Sequence, residues 1–129
     1  MKIGEFSTCT GLSKDTIRYY EKIDLLHPEL KNNLREYTEE DIQIVEAIIK
    51  LKQTGFLLRE IKMLFDWSKN TEQNKKLSKD EISNLLLIKD VFQNKYKEMV
   101  HKQAQIIEIK QILLRADDKI VQLLEENKG

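Results

Sequence analysis

The chain has 129 residues, of which 40% are hydrophobic and 34% are charged, and its 22 Lys and Arg residues balance 22 Asp and Glu residues. This zero net charge counts against a nonspecific polycation that coats DNA, because such binding depends on bulk positive charge. No apolar run is long enough to span a membrane, residues 1–20 do not form a signal peptide, and a single cysteine excludes an intrachain disulfide. We therefore predict a cytoplasmic protein.

Two short helices joined by a turn are predicted at the start of the chain. Ile3 and Phe6 lie three residues apart and begin a helix that Gly11 should end. Ser13 is a suitable N-cap for a second helix that runs to about Lys22. Two short helices around a turn containing glycine are typical of a helix-turn-helix.

The second helix carries a stripe of basic residues. Lys14, Arg18 and Lys22 recur every four residues, and Tyr19 lies beside them. Arginine donates to phosphates and guanine edges, and tyrosine offers a hydroxyl group and a flat ring, as a recognition helix in a major groove requires. The spacing alone fits equally well a solvated face with one half-buried tyrosine.

The next segment, LLHPELKNNLREY, predicts a small two-stranded wing. Pro28 opposes a helix, and Asn32 with Asn33 can supply the positive φ angles of a tight hairpin turn. Thr38 then caps a third helix that ends at Gly55, and a fourth helix should cover roughly residues 58–67.

The remaining sequence predicts one long helix. Ser78 and Glu81 form a capping box, and a seven-residue register of apolar residues follows without Gly or Pro. A helix over residues 79–116 would be roughly 55 Å long and could not bury this stripe alone, so we predict that a second copy covers it. An arm folding back on its own domain is the alternative. The predicted dimer interface comprises Leu85, Phe92, Met99, Ile106, Ile109 and Leu113.

The predicted organisation has four parts: a DNA-binding domain over residues 1–70, a polar linker over 71–78, a dimerisation helix over 79–116 and a short C-terminal tail over 117–129. The fold class is mainly α.

Three segments resemble one family in order and spacing: MKIGEFSTCTGLSKDTIRYYEKIDLL, then LREYTEEDI, then KLKQTGFLLREIKML. Together they resemble the MerR family of bacterial transcription regulators over about residues 1–67, and a match in several parts is more specific than one short motif. The resemblance implies a winged helix-turn-helix domain and a homodimer joined by an antiparallel coiled coil. Asp24 departs from the pattern, which has glycine there.

The resemblance also implies the residues that contact DNA. The family contacts DNA through its TIRYYE and REY motifs, which in this chain correspond to Thr16, Arg18, Tyr19, Tyr20, Arg35 and Tyr37. The spacing of Tyr20 from Ile17 suits packing as well as contact. Lys14 and Lys31 are added from geometry alone.

The mechanism that the resemblance implies is control of a promoter. The homodimer would bind an inverted repeat in double-stranded promoter DNA, and would kink and untwist it so that RNA polymerase can read both promoter elements. Activation and repression both stay open, as does the effector.

We predict no cofactor and no metal site. The thirteen residues after the dimerisation helix cannot enclose a drug-sized ligand. That region has no cysteine, and His27 and His101 lie far apart in the sequence. Cys9 fits a thiol that fills core space, and a redox or electrophile sensor is the alternative.

Two other functions compete with regulation. A phage-type excisionase or architectural DNA-bending protein can share a winged fold but needs no dimer arm, and a coiled-coil adaptor would bind protein through the winged domain. An enzyme is not predicted, because the sequence shows no catalytic constellation and no phosphate-binding glycine loop.

Overall fold

The computed structural model describes residues 1–69 and 76–129. The chain divides into two compact units, an N-terminal unit over Met1–Leu77 and a C-terminal unit over Ser78–Gly129. The elements are α1 (Ile3–Thr10), α2 (Lys14–Lys22), β1 (Glu29–Lys31), β2 (Leu34–Glu36), α3 (Glu39–Gln53), α4 (Leu58–Lys69) and α5 (Lys79–Glu126). A mainly helical fold with a helix-turn-helix, a two-stranded wing and a long last helix is thereby confirmed. Within the described ranges, no helix has the length and apolarity needed to cross a membrane.

The turn between α1 and α2 forms where the sequence places its caps. Gly11 takes a φ of 76°, and its N–H donates to the carbonyl oxygen of Ser7 at 2.9 Å. A residue with a side chain would be strained in this left-handed conformation. Ser13 then begins α2, because its Oγ accepts from the N–H of Thr16 at 3.1 Å.

The wing is an antiparallel hairpin with a two-residue turn. Leu30 pairs with Arg35 across the strands, and Lys31 pairs with Leu34. Asn32 and Asn33 have φ angles of 53° and 63°. Asparagine tolerates this left-handed region, and positive φ at both central residues matches the right-handed twist of the flanking strands.

The end of α2 is held by an aspartate in an unusual conformation. Asp24 has a φ of 67°, where most residues with a side chain are strained. Its carboxylate bonds to His27, and the Nζ of Lys62 on α4 donates to its backbone oxygen at 3.2 Å and to Oδ2 at 3.3 Å. The hydrogen bonds from His27 and then Lys62 lower the pKa of Asp24. These contacts explain how a residue other than glycine occupies this turn.

The core of the N-terminal unit is formed by residues of helices α1 to α4, by Leu25 and Leu26 after α2, and by Tyr37 directly after β2. The rings of Phe6 and Tyr37 stack with their centroids 4.4 Å apart and their planes 13° apart. The buried core residues are Phe6, Ile17, Tyr20, Leu25, Leu26, Tyr37, Val45, Ile48 and Ile61. Helix α3 begins beside this core with a capping box, in which the N–H of Thr38 donates to Asp41 Oδ2 at 2.9 Å.

The first residues of the chain brace the wing. The ammonium group of Met1 donates to Glu36 Oε1 at 2.9 Å and to the carbonyl oxygen of Tyr37 at 2.7 Å, and Lys2 Nζ donates to Glu36 Oε2 at 2.9 Å. The N–H of Tyr37 donates in return to the carbonyl oxygen of Met1 at 2.8 Å. The Met1 ammonium and then Lys2 lower the pKa of Glu36 to about 2.

The C-terminal unit consists of helix α5 and the few residues beside it. Ser78 and Glu81 form the predicted capping box, and the helix has 48 residues, which corresponds to about 72 Å. The prediction that the helix ends at residue 116 and that residues 117–129 form a tail was therefore wrong. Asp117 and Asp118 are weak helix formers but do not interrupt a helix as Pro or Gly would, and apolar residues recur beyond them at Ile120 and Leu123. The predicted linker over 71–78 falls mostly on residues outside the described ranges.

Candidate nucleic-acid interface

Helix α2 separates a buried face from an exposed face that is basic and aromatic. Ile17 is fully buried, whereas Lys14 is exposed, the Arg18 side chain is 60% exposed and Tyr19 is 49% exposed. Arg18 Nη1 lies 3.5 Å from Asp15 Oδ1, but both groups are so exposed that this ion pair is weak. The donors of Arg18 thus remain available to a ligand.

A groove runs between α2 and the wing and has a volume of about 590 Å³. We call it the α2–wing groove. It is lined by Lys2, Ile3, Arg18, Glu21, Lys22, Asn33, Leu34 and Arg35. Four of these residues are cationic and one is acidic, so the groove concentrates positive charge that the zero net charge of the chain conceals. Such a local excess of cations suits the phosphates of a nucleic-acid backbone.

The acid in the groove is bonded on both oxygens. Glu21 Oε2 accepts from Arg35 Nε at 2.8 Å, and Glu21 Oε1 accepts from the hydroxyl of Tyr37 at 2.6 Å. Burial and then the bond to Glu21 raise the pKa of Tyr37. The tyrosine therefore stays protonated and donates to the carboxylate.

Two residues predicted to contact DNA lie in the core instead. Tyr20 is 2% exposed and Tyr37 is 1% exposed, so neither ring can touch a ligand in this conformation. The prediction of direct contact was wrong for both. Tyr20 lies three residues after Ile17 on the buried face of α2, and Tyr37 stacks on Phe6.

The other predicted residues lie at the surface, though not all in one place. Arg18 and Arg35 come together in the α2–wing groove. Thr16 is half-buried, and its hydroxyl lies 2.9 Å from that of Ser13 at the start of α2. Lys31 is exposed on β1, next to the hairpin turn. For these residues contact with DNA stays a prediction.

Three charged residues of the groove, Lys2, Glu21 and Lys22, were not among the predicted DNA contacts. Lys22 belongs to the basic stripe, so its spacing from Arg18 was a usable signal. Lys2 precedes α1 and shows no periodic signal, because the pairing of Met1 with Tyr37, the residue after β2, brings it to the groove. Glu21 gave no signal at all, since an acid on a basic helix face normally indicates a solvated position.

Helix α5 exposes apolar side chains over much of its length. Of the predicted interface residues, Leu85, Phe92 and Met99 are partly exposed, whereas Ile106, Ile109 and Leu113 are 57%, 54% and 63% exposed. Lys95 on the same helix donates from its Nζ to Glu98 Oε2 at 3.1 Å. An apolar row of this length on one helix is typical of a surface that pairs with another helix.

Cys9 is exposed on α1. The interpretation of Cys9 as a thiol filling core space was therefore wrong, because Phe6 on the same helix fills the core. The redox hypothesis stays a prediction. In residues 1–69 and 76–129, no group of three or more His, Cys, Asp or Glu side chains is placed to hold a metal ion.

Comparison with known proteins gives a consistent result over the whole chain. Residues 1–67 match the family model described as MerR HTH family regulatory protein. The chain is 32% identical over 133 residues to the HTH-type transcriptional regulator ZntR homolog of Haemophilus influenzae, and the alignment covers 100% of this chain and 95% of that protein.

Two solved structures are similar to this one. HiNmlR, a MerR family regulator lacking the sensor domain and bound to promoter DNA, has a TM-score of 0.60 and 22% identity, with 96% of this chain and 90% of that chain covered. PbrR691 of Ralstonia metallidurans CH34, a transcription regulator in complex with lead(II), has a TM-score of 0.51 and 27% identity, with 90% and 86% covered. The first likeness, at 22% identity, concerns the fold alone.

Proposed function

The chain belongs to the MerR family of helix-turn-helix regulatory proteins, and we propose that it binds an inverted repeat in promoter DNA as a homodimer. It is a DNA-binding transcriptional regulator, as its relatives are. One observation supports the proposed contact with DNA above the others. The exposed face of α2 and the wing together form a cationic groove that the composition of the chain does not reveal.

The proposed binding mode assigns different tasks to α2 and to the wing. Helix α2 enters the major groove, where Arg18 and Tyr19 reach base edges or phosphates. Lys14 lies on the same exposed face. The α2–wing groove holds the backbone of the adjacent strand, with Arg18 on one wall and Arg35 on the other. Because the net charge is zero, affinity depends on these few groups and falls as salt rises.

Pairing through α5 supplies the second half of the proposed site. The exposed residues Ile106, Ile109 and Leu113 lie on one apolar row, which a second copy can bury. In the proposed antiparallel pairing, two copies of α2 enter major grooves about 34 Å apart, one turn of DNA. A dimer with twofold symmetry presents two identical helices in opposite directions, and it therefore reads an inverted repeat.

The proposed regulatory step is a distortion of the promoter. Bending a site of this size costs about 1–6 kcal/mol, which contacts from α2 and the wing to the bent backbone offset. RNA polymerase then meets promoter elements in a changed alignment, and the regulator would act in the cytoplasm, where the bacterial chromosome lies. The relatives are transcriptional regulators rather than enzymes. They give no support to an excisionase, an architectural protein or a coiled-coil adaptor.

Selection from a library of random duplexes tests the proposal. The purified chain should enrich an inverted repeat with half-sites about one helical turn apart, and gel filtration should show two copies per duplex. Arg18→Ala should weaken binding to the selected duplex by about 1–3 kcal/mol. Arg115→Ala, which removes an arginine from α5, is the control and should leave affinity unchanged. Failure of the chain to retain any duplex at low salt would contradict the proposal.

A further inference from the structure

Glu21 is an acid in a groove whose other charged residues are Lys2, Arg18, Lys22 and Arg35. If the groove holds DNA phosphates, a carboxylate there repels the ligand. Removal of Glu21 should therefore strengthen binding if charge alone decides affinity. The contacts of Glu21 indicate the opposite.

The carboxylate of Glu21 joins a rigid core residue to a flexible surface residue. Its side chain is 11% exposed, one oxygen accepts from the hydroxyl of Tyr37 at 2.6 Å, and the other accepts from Arg35 Nε at 2.8 Å. Tyr37 is itself fixed, because its ring stacks on Phe6 and its backbone pairs with Met1. A continuous series of contacts thus runs from the core through Glu21 to the guanidinium of Arg35.

Arg35 needs such support because it lies on a three-residue strand and its side chain is 58% exposed. A free arginine side chain loses rotamer entropy when a ligand orders it, and this loss opposes binding. Glu21 engages the single N–H of Nε, which leaves the four N–H donors of the two Nη groups for a phosphate. The side chain of Arg35 is then already ordered in the free protein, so less entropy is lost when DNA binds.

We propose that Glu21 is a positioning residue that presents the guanidinium of Arg35 to a DNA phosphate, across the α2–wing groove from Arg18. This inference rests on the proposed function, since it requires DNA in the groove. It assigns to an acid on the recognition helix the task of setting the orientation of the wing arginine. The carboxylate itself does not contact DNA.

A double-mutant cycle with the selected duplex tests this inference. Fluorescence anisotropy over a series of KCl concentrations should show that Glu21→Ala and Arg35→Ala each weaken binding by roughly fivefold. The double variant should bind no more weakly than Arg35→Ala alone, because Glu21 acts through Arg35. In all three, the slope of log Kd against log salt should fall by about 0.9, the loss of one phosphate contact.

Two further variants separate positioning from charge and from stability. Asp15→Ala is the matched control, because Asp15 is also an acid on α2 beside an arginine but is 97% exposed, and its removal should leave affinity unchanged or raise it. Glu21→Gln keeps an acceptor oxygen and should recover part of the loss. Thermal melting checks the fold of each variant. Should Glu21→Ala unfold, Tyr37→Phe replaces it in the cycle, since it removes only the hydroxyl that holds Glu21.

The outcomes are distinguishable. If the unaltered chain binds no duplex, the proposed function fails. If it binds, but Glu21→Ala tightens binding or its effect adds to that of Arg35→Ala, the positioning role of Glu21 is overturned while the proposed function stands. Additivity of Tyr37→Phe with Arg35→Ala would overturn that role equally.

Discussion

The two units of the chain differ in the burial of their apolar side chains. Among its described residues, the N-terminal unit buries nine hydrophobic side chains, including the stacked rings of Phe6 and Tyr37. Helix α5 leaves Leu86, Ile106 and Leu113 more than half exposed. The first unit is thus stabilised by its own core. The second has helix propensity and caps but little apolar surface removed from water, so its stability depends on what covers it.

The contrast shows why similar composition along a chain gives different structures. In the N-terminal unit, helices of 8 to 15 residues turn at Gly11, Asp24 and Gly55, so their apolar faces can converge. In α5 the apolar register continues for 48 residues without a turn. A straight helix cannot fold onto itself, and its apolar row remains open to a partner.

The largest expected effect comes from a charge on the open row of α5. Ile106→Glu should weaken self-association by at least about 3 kcal/mol, because each copy would bury an unpaired carboxylate. Sedimentation equilibrium measures the dimer dissociation constant. Gln111→Glu places the same residue on the opposite side of the helix and should leave the dimer intact. Equal dissociation constants for the two variants would show that Ile106 is not in the interface.

The converse change removes the centre of the N-terminal core. Phe6→Ala should lower the free energy of unfolding of this unit by about 3–5 kcal/mol, because Phe6 is fully buried and its loss leaves a cavity beside Tyr37. Urea titration followed by the fluorescence of Trp67, the single tryptophan, measures this.

Tyr19→Ala is the matched control for the core variant. This aromatic residue is 49% exposed, so its loss should change the free energy of unfolding by less than about 0.5 kcal/mol. A similar loss for both variants would contradict the division between a packed core and an exposed face of α2.

The smallest expected effect concerns the brace between the chain start and the wing. The pKa of Glu36 lies at about 2, below its usual 4.5, because the Met1 ammonium and Lys2 favour the charged carboxylate. Because the pKa is lowered in the folded state, the stability that the charged Glu36 contributes is complete above pH 4.5 and is lost as the pH falls toward 2. Glu36→Gln should therefore flatten the fall in melting temperature over this window. An unchanged pH profile would show that the pairing adds no stability.

The sequence predicts the local structure well, because the residues that form a cap or a turn are neighbours in the chain. Gly11 and Ser13 mark the turn of the helix-turn-helix, and Asn32 with Asn33 marks the wing. A cap or a turn needs only a few adjacent residues to form. The predicted end of the long helix at residue 116 was wrong, because Asp117 leaves every backbone hydrogen bond of α5 possible.

The candidate site was harder to predict, because it is formed by tertiary contacts between residues that lie far apart in the sequence. Tyr20 and Tyr37 belong to motifs that resemble DNA-contacting residues, but only the packed core shows that both rings are buried. Lys2 lies at the α2–wing groove because the neighbouring Met1 pairs with the backbone of Tyr37 and because Lys2 Nζ itself donates to Glu36. Sequence periodicity does not predict such long-range contacts. It also does not predict the two hydrogen bonds that Glu21 accepts.

The position of α5 after the N-terminal unit has a consequence for biosynthesis. Residues 1–77 emerge from the ribosome while α5 is still being translated, so the packed unit can form before the apolar helix is complete. Assembly then joins folded N-terminal units by a bimolecular step, and α5 exposes its apolar row from its synthesis until a second copy binds.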